Sequence, residues 1–183
     1  MLTPEVLGLP GDRFEHYRKN QLESALEVAA ALGTKRFALL QAGTGTGKSN
    51  LYITVARLLN ARAIVLTGTR QLQDQLMRDF ASTGMRDVRG HANHKCLAVE
   101  RGAALYGLSP PGTTCADGPC RIQVPCELRE NGCSSYDSRR AARLADTVTT
   151  NYAMWLTLSK YDGDEETLGK ASLLVCDEST NAH

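Results

Sequence analysis

Two groups of residues in this chain have types and spacings suited to chemistry, and they lie far apart in sequence. The run Ala42-Gly43-Thr44-Gly45-Thr46-Gly47-Lys48-Ser49 alternates glycine with small residues and ends in a lysine and a hydroxyl. Glycines let successive backbone N–H groups turn inward around phosphate oxygens, and a helix opening at the lysine adds positive potential. On this reading Lys48 reaches the β- and γ-phosphates of a nucleoside triphosphate, and Ser49 ligates Mg²⁺. The usual pattern begins with Gly, where this chain has Ala42. The acidic counterpart is Asp177-Glu178, directly after the apolar run Leu173–Cys176. A strand-end aspartate holds Mg²⁺ through water, and the following glutamate polarises an attacking water. Taken singly, each motif has a plainer reading, a glycine-rich turn for the first and a helix-capping Asp-Glu for the second. Cys176, inside the apolar run, reads as a small core residue.

The second group is made of thiols. Cys96, Cys115, Cys120, Cys126 and Cys133 fall between the two phosphate-handling motifs, with 18, 4, 5 and 6 residues separating successive neighbours. Zinc ribbons and fingers favour tight C-x₂₋₄-C pairs, and no C-x-x-C occurs here. Looser spacings suit an iron–sulfur cluster, whose bulk spreads its thiolate ligands. Zinc and scattered structural thiols are the alternatives. A cluster needs about four ligands, so one of these cysteines is a spare.

Composition bounds the setting. The chain has 183 residues, 42% of them hydrophobic, which is enough for one sizeable core with an elaboration. No apolar run is long enough to cross a bilayer, and the N-terminus lacks the charged and apolar regions of a signal peptide. Six cysteines without a secretion signal predict a reducing, cytoplasmic compartment and thiolates that serve a metal. A net charge of +1 supplies no global field for nucleic acid, so any such binding must use local patches.

The elements that would position these groups follow a parallel-sheet grammar. Leu22, Ala25, Leu26, Ala29 and Leu32 mark a helical stripe over residues 18–32, stopped by Gly33. Phe37–Leu40 reads as the strand leading into the phosphate loop, and residues 48–60 as the helix leaving it. Ala63–Leu66 reads as a buried strand, and Leu72, Leu76 and Phe80 as one face of a helix. Strand, turn, helix, strand, helix predicts an α/β fold with crossover helices. The rhythm breaks near Ser82, and the Gly-, Pro- and Cys-rich stretch to residue 134 reads as an inserted subdomain that needs a staple. Helix, strand, helix and strand return near Ser138–Ala145, Thr147–Thr150, Met154–Trp155 and Leu173–Cys176. Asp162-Gly163-Asp164 reads as a surface turn. The expected organisation is thus 1–81 and 135–183 as two halves of one domain, with 82–134 inserted.

Several of these segments resemble the XPD/DinG-like iron–sulfur helicases of superfamily 2, over most of residues 14–183. Tyr17-Arg18-Lys19-Asn20-Gln21 resembles that group's adenine-reading motif, and Ala42–Ser49 its A-G-T-G-T-G-K-[ST] loop, where an initial Ala is normal. Val65–Leu76 is similar to the segment sT-x-T-x-x-L-x-x-Q-L that contacts DNA. Gly90-His91-Ala92-Asn93-His94-Lys95-Cys96 resembles G-R-x-N-Y-x-C, Cys133-Ser134-Ser135-Tyr136 resembles C-P-Y-Y, and Thr150-Asn151-Tyr152-Ala153 matches t-N-Y-a.

The resemblance implies a P-loop (RecA-like) motor domain that binds ATP and Mg²⁺ and moves 5′ to 3′ along single-stranded DNA at a fork. It implies Gln21 as adenine reader, helped by Arg18 or Tyr17, with Gly43, Thr44, Gly45, Thr46, Gly47, Lys48 and Ser49 on the phosphates. It implies Thr67 and Thr69 against the DNA backbone and a 4Fe-4S cluster on Cys96, Cys120, Cys126 and Cys133, with Cys115 as the spare or as an alternative inner ligand. Arg139 and Arg143 share a helix face and, with Arg140, form either a DNA-facing patch or a solvated surface. Aromatic residues make up only 5% of the chain, so base-stacking platforms are few. Where the family has D-E-A-H this chain has Asp177-Glu178-Ser179-Thr180, so the carboxylates remain while Thr180 replaces a His. The resemblance ends just past that motif, so the second motor domain, with its arginine finger, is expected in cis or in trans. The other reading is an ATP-switched nucleic-acid-binding module, stapled by zinc or iron, without motor activity.

Overall fold

The computed structural model describes residues 2–43, 45–105, 112–161 and 168–177. At its centre are four parallel strands, β1 (Ala63–Thr67), β2 (Arg86–Asp87), β3 (Thr147–Asn151) and β4 (Leu173–Cys176), in the order β2-β3-β1-β4. Register runs from Ala63 opposite Thr147 and Leu173, and Asp177 extends the β1–β4 ladder by donating its N–H to the Leu66 carbonyl at 3.0 Å. All five residues of β1 are buried, as expected of a parallel strand covered on both faces.

Alternation along β1 divides the core. Ile64 and Leu66 face one side with Val148, Ala142 and Leu158, under α5 (Ser134–Leu144) and α6 (Tyr152–Tyr161). Val65 faces the other with Ile53, Leu76 and Phe80, under α2 (Lys48–Leu58) and α3 (Arg70–Phe80). Helix α1 (Gln21–Leu32) packs on α2 through Ala25, Leu51 and Val55. Gly33 closes α1, donating to the Ala29 carbonyl at 3.1 Å. Phe80 is wholly buried and stacks on Phe14, ring centroids 5.0 Å apart. The structure is therefore α/β with helices on both faces of a parallel sheet.

It departs from the sequence expectations in four places. Phe37–Leu40 is not a strand, and Phe37 and Leu39 are 81% and 95% exposed. The run pairs with none of β1 to β4, so no ladder holds it extended. Cys176 is exposed rather than core, because β4 is an edge strand whose residues are alternately half-buried and exposed. The sheet takes one more strand after Ser82, since Arg86 and Asp87 pair with Val148 and Thr149 while Met85 and Val88 are fully buried. The stretch read as aperiodic also holds a helix, α4 (Leu97–Leu105). The turn read at Asp162–Asp164 lies outside the described residues.

Arg62 ties distant segments together. Its guanidinium donates to the carbonyls of Lys170 and Ala142, both at 2.8 Å, and to that of Leu168. Its own carbonyl accepts from the N–H groups of Ser172 and Leu173 at 3.0 and 3.2 Å. Burial lowers its pKa, partly offset by Asp146. Hydrogen bonds to a charged donor contribute about 1.5–3 kcal/mol each in favourable settings. Arg62→Ala is expected to lower the unfolding midpoint by roughly 5–10 °C in a thermal melt followed by circular dichroism. Arg62→Lys should recover only part of that, because an ammonium cannot reproduce the planar fork. An unchanged midpoint would show that these bonds contribute no net stability.

Candidate functional site

The phosphate loop is built by backbone conformation. Gly45 and Gly47 adopt φ of +77° and +81°, in the left-handed region, and α2 starts at Lys48. A Cβ on Gly47 would stand 2.5 Å from Gln21 Nε2. Thr46 Oγ1 donates to the Gly43 carbonyl at 2.8 Å, and Lys48 Nζ donates to the Ala42 carbonyl at 3.4 Å. Lys48 and Ser49 are half-buried at the helix start, where the first N–H groups have no intrahelical acceptor. These residues fit a bound triphosphate, with N–H groups and an ammonium converging where side chains are absent. Thr44 lies outside the described residues.

The segment before α1 grips the loop from outside. Buried Gln21 accepts the Arg18 N–H at 3.1 Å through Oε1 and donates through Nε2 to the Gly47 carbonyl at 2.8 Å. Arg18 donates to the Gly45 carbonyl. The Tyr17 hydroxyl lies 3.2 Å from Thr54 Oγ1, and burial raises its pKa. Gly47→Ala would force a strained φ and displace Gln21, costing about 1–3 kcal/mol. A fall of roughly tenfold or more in ATP affinity is expected by calorimetry, since each ~1.4 kcal/mol is a decade. Wild-type affinity in that variant would mean the left-handed turn is dispensable for binding.

Asp177 is buried at the C-terminal end of β4, and Tyr152 donates its hydroxyl to the Asp177 carbonyl at 2.9 Å. Glu178 and Thr180 lie outside the described residues. In a parallel sheet the C-terminal strand ends share one edge, which is where ligands of open α/β sheets bind. On that edge Thr69, exposed, caps α3 by accepting the Leu72 N–H at 3.2 Å. Thr67 is fully buried and its hydroxyl donates to the Thr69 carbonyl at 3.3 Å, so it shapes the edge rather than presenting a side chain.

All five cysteines between residues 96 and 133 line one cavity, together with Leu97, Ala98 and Leu128. Cys96, Cys115 and Cys133 are buried, while Cys120 and Cys126 are half-buried and also line an adjoining cleft of about 520 Å³. Cys115 Sγ lies 3.9 Å from Cys133 Sγ and donates to the Lys95 carbonyl at 3.3 Å. A Cβ on Gly118 would stand 2.5 Å from Cys96 Sγ. Cys115, expected to be the spare or an alternative inner ligand, is among the most buried of the five, and the peripheral thiols are Cys120 and Cys126.

Among the described residues no basic side chain lines that cavity, and burial together with the neighbouring thiols pushes Cys115 up to about 12. Thiolates there therefore need a cationic partner, which is what a soft metal centre supplies. The donor set fits such a group. Among the described residues no three His, Cys, Asp or Glu side chains gather into a single-ion site. A multinuclear cluster does not require that, because its ligands bind different iron atoms.

Arg139 turns toward this region. Its Nη2 lies 3.4 Å from His91 Nε2 and its guanidinium 5.8 Å from the Tyr136 ring centroid, with Arg129 at 5.0 Å. His91 Nδ1 in turn meets Ser135 Oγ at 2.9 Å. Arg143 is exposed, and Arg140 pairs with Asp137 and donates to the Arg129 carbonyl at 2.9 Å. Of the residues grouped as a basic patch, Arg139 is engaged with the cysteine region and Arg143 faces solvent.

Sequence reasoning missed Gln73, which is fully buried and donates through Nε2 to the Val88 carbonyl at 3.2 Å, tying α3 to the residue after β2. The available signal was a polar residue at a core position of an otherwise amphipathic helix. Tyr152 was quoted as part of a motif without its role of holding the Asp177 backbone.

A family model described as type III restriction enzyme, res subunit, matches residues 14–108, from before the adenine-reading motif to beyond the first cysteine. The ATP-dependent DNA helicase YoaA of Haemophilus influenzae is 38% identical over 89 residues, covering 44% of this chain and 14% of that protein. The protein of the same name from Escherichia coli is 33% identical over 99 residues, 49% of this chain and 16% of that protein. The chain thus spans about one sixth or less of the length of these relatives. Among the described residues no helix is long and apolar enough to cross a membrane. Matched over more than half of its residues, the chain belongs to the family described as type III restriction enzyme, res subunit, a helicase-type domain of superfamily 2.

Proposed function

We propose that this chain is part of the first motor domain of an ATP-dependent DNA helicase of the XPD/DinG-like iron–sulfur group, acting 5′ to 3′ on single-stranded or forked DNA. The observation that supports the reading is the join between Gln21, Arg18 and the loop carbonyls of Gly47 and Gly45, which ties the segment resembling an adenine-reading motif to the glycine-rich loop. Residues 42–49 bind the phosphates, with Lys48 on the β- and γ-groups and Ser49 and Asp177 holding Mg²⁺ directly and through water. Glu178 orients the attacking water. DNA passes the sheet edge at Thr69, which Thr67 shapes from below, and Arg143 offers a phosphate contact.

Beyond β2, the inserted stretch up to residue 134 would be stapled by a 4Fe-4S cluster held by four of the five clustered cysteines. The cluster, when bound, supplies positive charge and rigid cross-links among thiolates. Cys133, immediately before α5, would tie the loop that carries the thiols to that helix.

An arginine supplied from a second motor domain contributes about 10³–10⁵ in rate to this chemistry. The test is therefore ATP turnover by the chain mixed with the second motor domain, with and without single-stranded DNA. DNA-stimulated turnover that Glu178→Gln abolishes is the expected result. Tight ATP and DNA binding with no turnover, even with that domain supplied, would replace the motor by an ATP-switched binding module.

A further inference from the structure

We propose that Cys115 and Cys133 are a closable pair, which a peroxide-class oxidant joins as a disulfide when the cage is empty. Their sulfurs already touch, at 3.9 Å, and both are buried. Backbone hydrogen bonds anchor both residues. The Cys115 N–H donates to the His94 carbonyl at 2.8 Å, and the Cys133 N–H to the Leu128 carbonyl at 3.0 Å. The other thiols are differently engaged, with Cys96 against Gly118 and Cys120 beside Tyr136. The cleft of about 520 Å³ lined by Cys120 and Cys126 adjoins the cavity that these two share with Cys115 and Cys133.

The chemistry balances with hydrogen peroxide as the named oxidant. Its O–O bond breaks as one thiol becomes a sulfenic acid and a water is released. The second sulfur then attacks the first, the S–O bond breaks, the S–S bond forms and a second water leaves. Two thiols are oxidised by two electrons and one peroxide is reduced to two waters. Closure removes two sulfurs from five and leaves three, fewer than the about four a cluster needs. The pair thus converts a transient loss of the metal centre into a locked, empty cage that only a thiol reductant reopens. That consequence rests on the cage reading, whereas the disulfide itself does not.

The test uses the full chain, freed of metal by chelator under reductant, desalted and exposed to hydrogen peroxide. Trypsin places Cys115 and Cys120 on residues 102–121 and Cys133 on residues 130–139. A cross-linked pair of these peptides is expected as the main disulfide. It should persist in Cys120→Ser, vanish in Cys115→Ser, and in the wild type be localised to Cys115 by fragment-ion sequencing. Iron and sulfide then added should restore roughly tenfold less brown absorbance than in unoxidised protein, recovered by dithiothreitol. Six free thiols after oxidation, or a dominant Cys120–Cys126 link, would overturn the pairing. A Cys115–Cys133 link in protein that never takes up iron would support the pair while sinking the cage reading, so the two failures are distinguishable.

Discussion

Lys48→Ala is expected to lower the affinity of this chain for ATP–Mg²⁺ by about 100-fold while leaving its melting midpoint nearly unchanged. Charge-assisted hydrogen bonds are worth about 1.5–3 kcal/mol, and every ~1.4 kcal/mol is a decade in affinity. The neutral midpoint follows from the resting contact. Without ligand the ammonium reaches only the Ala42 carbonyl, at 3.4 Å, a long bond at a partly solvated site. Removing it leaves no buried group orphaned. Calorimetric titration with ATP, paired with a thermal melt, reads both quantities. A variant that binds ATP as the wild type does would remove the phosphate-loop assignment, and with it the motor reading.

The second large effect concerns the cage. Cys133→Ser is expected to reduce iron bound after anaerobic purification on the order of tenfold and to abolish the brown colour. It should also lower the melting midpoint of the metal-loaded form by roughly 10 °C, as binding free energy in such a site is folding free energy. Cys133 precedes the first residue of α5, and α5 packs under the sheet through Ala142. Loss of the metal should therefore loosen both the inserted segment and its seat on the core. Colourless, zinc-loaded wild-type protein would instead return the staple to a single-ion centre. Iron content unaffected by the substitution would place Cys133 outside the ligand set.

What the sequence disclosed was governed by how local the cause of each feature is. β1 and the helices α1 to α3 declare themselves because apolar period and length depend only on nearby residues. The phosphate loop is equally local, with its glycines, its lysine and the helix start contiguous. β2 was invisible since Arg86-Asp87 has no strand character of its own, and its conformation comes from the pairing with Val148 and Thr149. Phe37–Leu40 failed in the opposite way, because an apolar run looks the same whether or not it pairs with a strand. Cys176 shows the same limit, since an edge strand and a central strand can carry similar residues. Arg62 left no trace because its partners are backbone carbonyls 80 to 108 residues away. For the cysteines, spacing revealed the gathering of five thiols but not their depth, which packing decides.

The double grip of Gln21 has a consequence for how this domain would sense its fuel. One carboxamide touches the Arg18 N–H on one side and the Gly47 carbonyl on the other. It retains one hydrogen and one lone pair, the complement of an adenine edge. On the proposed function, the base and the phosphates would therefore not be gripped by independent hands. Whatever free energy the loop gains from seeing a purine amine must equal what the purine gains from an ordered loop. A triphosphate carrying the wrong base would then fill the same cradle yet hold it less firmly, so the domain would discriminate by how taut its loop becomes rather than by which molecules it admits.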